Sequence, residues 1–77
     1  MDENYKKELL ALAYEARVKE VTEYQVNIDN FTLAIAAIGN DPDLQDFKAQ
    51  LENLLISSLA EQKKAKLMLD VVKSQME

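Results

Sequence analysis

Val21-Thr22-Glu23-Tyr24-Gln25-Val26-Asn27-Ile28-Asp29-Asn30-Phe31-Thr32-Leu33-Ala34-Ile35-Ala36-Ala37-Ile38 runs into Gly39-Asn40-Asp41-Pro42-Asp43, and this stretch decides the fold. Val21, Tyr24, Ile28, Phe31, Ile35 and Ile38 recur three and four residues apart. That alternation is the signature of one helical face turned to a partner helix. The glycine then closes a helix in the left-handed conformation, and Asp41 and Pro42 open another. Asp43 adds negative charge where a helix N-terminus favours it. Stop and start signals this close force two helices to run antiparallel.

Working backwards, the row continues through Arg17, Tyr14 and Leu10, with Arg17 at a position that suits an apolar residue. Asp2 and Glu3 supply acidic groups for the first turn. A helix over about residues 3–38 follows. Asn27, Asp29, Asn30 and Thr32 are weak helix formers because their short polar side chains compete for backbone hydrogen bonds. A kink near residues 27–32 would divide this arm and give a three-helix alternative.

Working forwards, Leu44, Phe47, Leu51, Leu54 and Ser58 hold heptad spacing, and the row passes on through Gln62, Ala65, Leu69, Val72 and Met76. The later spacing is nearer 3.6 than 3.5 residues per turn, which predicts a gently packed helix over about residues 42–75. Setting Ile38 beside Leu44 across the turn puts Ile35 against Phe47, Phe31 against Leu51, Ile28 against Leu54 and Tyr24 against the small Ser58. Arg17 then faces Ala65, its stem packed on the seam and its head reaching Glu61 or solvent.

The 77 residues make one domain, residues 1–77, near the size at which a single core is marginal. Glycine and proline occur once each, which excludes a chain of strands and turns. The fold class is therefore all-α, a long antiparallel helical hairpin.

A hairpin buries one line of contact, yet apolar residues are 48% of this chain. Leu9, Leu12, Ala16, Val26 and Leu33 in the first arm lie off the seam, with Ala13 close by. So do Ile56, Ala60, Leu67 and Val71 in the second. These positions are the expected protein interface, because a stripe of that length is seldom left in water. A homo-oligomer is expected, most simply a two-fold dimer forming a four-helix bundle.

Charge is unevenly spread. The net charge is -5, and residues 39–47 hold Asp41, Asp43 and Asp46 with no base. No Lys or Arg lies between Lys19 and Lys48, so the hairpin tip is acidic. The open end mixes signs, with Lys6 and Lys7 near one terminus and Lys63, Lys64 and Lys66 in the other arm. An acidic balance opposes direct nucleic-acid binding, which needs phosphate neutralisation. The lysine cluster has no interleaved aromatics and reads as a solvated face.

Chemistry is sparse. Histidine and cysteine are absent, which removes the commonest base, metal ligand and thiol nucleophile. Ser57 and Ser58 have no glycine-rich elbow around them. The tip aspartates lack the spacing of a calcium loop, and capping explains them better. Asn30-Phe31-Thr32 matches a glycosylation sequon by chance, since Phe31 is on the seam. Leu9 to Tyr14 is too short an apolar run for a secretory leader or a membrane span.

The expectation is a cytoplasmic, non-enzymatic protein–protein interaction module: a small subunit, regulator or inhibitor. It needs no cofactor, metal or small-molecule substrate, and its partners are itself and another protein. The alternative is an acidic mimic of nucleic acid that inhibits a nucleic-acid-binding protein through Asp41, Asp43 and Asp46.

Overall fold

In a computed structural model that describes residues 3–77, the chain is an antiparallel helical hairpin. Helix α1 spans Glu3–Ile38 without a break, a one-turn 3-10 segment spans Pro42–Leu44, and helix α2 spans Gln45–Met76. Asp2 lies outside the described residues. The three-helix alternative is thereby excluded. The helix continues through Asn27 to Thr32 because Ile28, Phe31 and Ile35 pack on the seam there, and packing outweighs weak propensity. Gln25 donates from its amide to the Asp29 carboxylate at 2.9 Å, while the Thr32 hydroxyl donates to the Ile28 carbonyl at 2.7 Å, a back-bond that weakens a helix only slightly.

The turn is built as its residues dictate. Gly39 has φ of 53°, and its N–H donates to the Ile35 carbonyl at 3.2 Å. Asp41 accepts from the Asp43 N–H at 3.0 Å, so it caps the 3-10 segment rather than α2 itself. The Gly39 carbonyl is held by Gln45 Nε2 at 3.2 Å and Lys48 Nζ at 3.0 Å. Gln45 also donates to the Asp41 carbonyl at 2.7 Å. A Cβ built on Gly39 would meet only the Ala36 carbonyl oxygen, at 3.9 Å, so space is not the constraint. The positive φ is, and Gly39→Ala is expected to cost about 1 kcal/mol, read as a lowered urea midpoint.

The seam on α1 is the predicted one: Leu10, Tyr14, Arg17, Val21, Tyr24, Ile28, Phe31, Ile35 and Ile38 are all buried or half-buried. On α2 the row is the predicted one at Leu51 and from Ser58 to Val72, and differs at Leu44, Phe47, Leu54 and Met76, which are exposed. Lys48, Leu51, Leu55, Ser58, Gln62, Ala65, Leu69 and Val72 face inward, in steps of three and four throughout. This is heptad packing along the whole arm, not a drift toward 3.6. Leu44, Phe47 and Leu54 leave the predicted seam; Phe47 is 50% exposed and Leu54 49%.

The displacement has a physical cause. The 3-10 segment lengthens the connection by about one turn, so Lys48 rather than Leu44 meets the end of α1. Gln62 accords with the shift: its bonds to Val21 and Gln25 straddle Tyr24, the residue that the spacing sets against Ser58. Arg17 does not reach Glu61. It pairs with Glu20 at 3.3 Å, and Glu61 pairs with Lys64 at 3.0 Å. Each of these pairs lies within one helix, and apolar packing, Gln62 and the Lys48 bond to the Gly39 carbonyl join the two arms.

Gln62 is the one buried polar residue among those described, at 6% exposure. It uses both amide hydrogens across the seam, donating to the Val21 carbonyl at 3.2 Å and to Gln25 Oε1 at 2.9 Å. Gln25 passes the chain of bonds on to Asp29. A satisfied polar group in an apolar seam costs little where it sits and much anywhere else, which fixes register.

Candidate interaction surface

The outer face of α1 follows from the same periodicity as the seam. Tyr5, Leu9, Leu12, Ala16, Lys19, Glu23, Val26, Asn30, Leu33 and Ala37 alternate in steps of four and three, and all ten are exposed. At 100° per residue this row lies on the side of α1 turned away from α2, with Glu23 at its edge, bordering the groove between the helices. Seven of the ten are apolar. Leu12 is 63% exposed and Leu33 68%. A helix with two opposed heptad rows is built to touch a helix on each side. The spacing prediction found Leu9, Leu12, Ala16, Val26 and Leu33. It missed Tyr5 and Ala37, although the seven-residue step from Tyr5 to Leu12 was visible.

On α2, Ile56, Ala60, Leu67 and Val71 are exposed as well, on the side turned away from α1. All nine predicted interface positions therefore stand in solvent in the single chain. The fold does not bring them together. It places five on one outer edge of the hairpin and four on the opposite edge, so one flat contact cannot cover both sets.

A third surface lies between the helices. Phe47, Leu54 and Met68 project from one flank of α2, and there an open groove is lined by Glu20, Glu23, Asn27 and Tyr24 with Glu61, Lys64, Ala65 and Met68. Acidic and basic groups mix in it, and Glu20 and Glu61 are already engaged by Arg17 and Lys64. It has the character of a solvated rim.

At the acidic tip Asp41, Asp43 and Asp46 are all exposed. Asp41 spends its carboxylate on capping. Asp46 lies in the first turn of α2, where it suits the helix dipole. Lys48, the nearest base in sequence, is turned inward onto the Gly39 carbonyl and leaves the tip negative. Among the described residues no three Asp or Glu side chains converge as a metal site, and no helix is long and apolar enough to cross a membrane.

The balance of surface is the dominant feature. Among the described residues fifteen large apolar residues are exposed and five apolar residues are buried. The molecule measures 62 × 16 × 14 Å with a radius of gyration of 17.7 Å. A compact chain of this length has a radius of about 11–12 Å. The accessible area is 5915 Å², against about 4,800 Å² for a compact monomer of the same mass. The excess, about 1,100 Å², is of the size that one partner buries in a stable protein interface, roughly 800 Å². Comparison with protein-family models, curated proteins and solved structures gives no match.

Proposed function

We propose that this chain is a non-enzymatic helical interaction module that works as a homo-oligomer, a two-fold dimer with four packed helices. A small subunit, regulator or inhibitor in the cytoplasm is the role that fits. One observation carries the reading: large apolar residues stand exposed along both outer edges of a molecule whose total accessible area exceeds that of a compact monomer by about one partner's share of a dimer interface. Burial of such area is the principal drive for protein association. With two edges available, one serves the second copy and the other remains for a different protein.

The tip supports a second reading, because Asp43 and Asp46 stand in solvent while the nearby lysine is turned inward. An acidic mimic of nucleic acid would use those groups.

The two readings respond oppositely to salt and to substitution. Leu33→Lys with Leu67→Lys is expected to abolish partner binding, with little change between 0.1 and 1 M salt. Asp41→Asn, Asp43→Asn and Asp46→Asn together are expected to leave binding within about threefold. Binding measured by calorimetry or surface capture decides it. Loss on neutralising the aspartates, with steep weakening in salt, would favour the mimic.

A further inference from the structure

We infer that the outer row of α1 packs against the same row of a second copy, antiparallel, with Lys19 of each chain facing Glu23 of the other. This rests on the self-association proposed above and adds its face, direction and register.

The row itself supplies the argument. Its charges are confined to the centre, where Lys19 and Glu23 stand one turn apart and exposed, and Asn30 is the other polar position among mostly apolar residues. Neither makes an ion pair among the described residues. Rows that alternate steps of three and four mesh antiparallel, as the two arms of this hairpin already do. Centred near Val21, the pairing sets Leu9 against the partner's Leu33 and Ala16 against the partner's Val26. The same register sets Lys19 against the partner's Glu23, twice over by symmetry. A parallel, in-register pair would set like charge against like at both positions. Sliding by one heptad would lay these charges on apolar residues or asparagine. Opposite signs at the centre therefore select one direction and one register.

A two-fold near Val21 brings residues 41–46 of one chain past the start of α1 in the other, where Lys6 and Lys7 lie between Glu3 and Glu8. That end is of mixed sign, so direction is set by the central Lys19 and Glu23. The outer face of α2 is a poorer candidate for the second copy. Lys63 interrupts it between Ile56 and Leu67, and Asp70 follows.

Because the chain has no cysteine, single-cysteine variants report the geometry cleanly. Leu9→Cys and Leu33→Cys chains are mixed and treated with a short bismaleimide, with mass measured by sedimentation equilibrium alongside. The mixture is expected to give a cross-linked heterodimer, and each variant alone none, since like positions would be about 36 Å apart along the helix. Cross-linking of each variant with itself would show a parallel pair and overturn the inference. A dimeric mass without the mixed cross-link would overturn the pairing while self-association stands. A monomeric mass would remove both. In a second arm, Lys19→Glu and Glu23→Lys are each expected to raise the dimer dissociation constant about tenfold or more. The double exchange is expected to restore it to within about threefold. Equal loss in all three would contradict the Lys19–Glu23 pairing.

Discussion

Leu51→Ala is expected to lower the stability of the chain by about 3 kcal/mol, while Leu54→Ala lowers it by less than about 1 kcal/mol. The two leucines are three residues apart on one helix and chemically identical, so helix propensity does not separate them. Burial does. Leu51 is 6% exposed and Leu54 49%. Truncating the first opens a void between the helices that rigid neighbours fill poorly; truncating the second removes a side chain already half in water. Urea unfolding at one fixed protein concentration reads both, because association adds a concentration-dependent term. Similar losses at the two sites would mean that the second arm packs in the register its most apolar residues suggest. That result would displace the turn geometry described above.

Gln62→Ala is the second large effect, with an expected loss of about 2–3 kcal/mol. The substitution removes two cross-seam hydrogen bonds, worth roughly 1 kcal/mol each, and leaves a gap in the row. Gln62→Leu separates these causes. It refills the volume without the bonds, so stability should return to within about 1 kcal/mol of the parent. What leucine cannot restore is the preference for one register. Amide exchange of Gln62→Leu is therefore expected to be faster along α2 at matched stability, as sliding alternatives become populated. If Gln62→Leu were as damaging as Gln62→Ala, the bonds to Val21 and Gln25 would dominate over packing.

These two residues also show where the sequence could be read and where it could not. The seam of α1 was legible because apolar side chains or Arg17 occupy it at every step, with a lone glycine to end it. The turn was legible from Gly39, Asp41 and Pro42, whose conformational demands are local. The seam of α2 was legible at Leu51 and from Ser58 to Val72, but not in its first turns. Leu54, Leu55 and Ile56 are consecutive and apolar, so hydropathy cannot say which faces inward. Lys48 and Gln62 occupy seam positions that an apolar count scores against, and each is there for a hydrogen bond to a carbonyl across the fold. Those partners are set by the length of the 3-10 connection, which depends on geometry beyond the capping signals. Gln62 had been placed on the row, but nothing in the sequence disclosed Val21 and Gln25 as its partners. The outer residues were legible as surplus apolar area. Their division between two opposite edges emerged only once the seam was fixed.

The central claim is that the hairpin exposes more apolar surface than a monomer keeps in water and removes it by pairing with itself. Sedimentation equilibrium across micromolar concentrations, with helix content followed by circular dichroism, tests it most directly. The predicted result is a weight-average mass that rises with concentration toward twice the 8.8 kDa of one chain, with thermal stability rising alongside. A fully helical, cooperatively unfolding species that stays at 8.8 kDa over that range would contradict the claim.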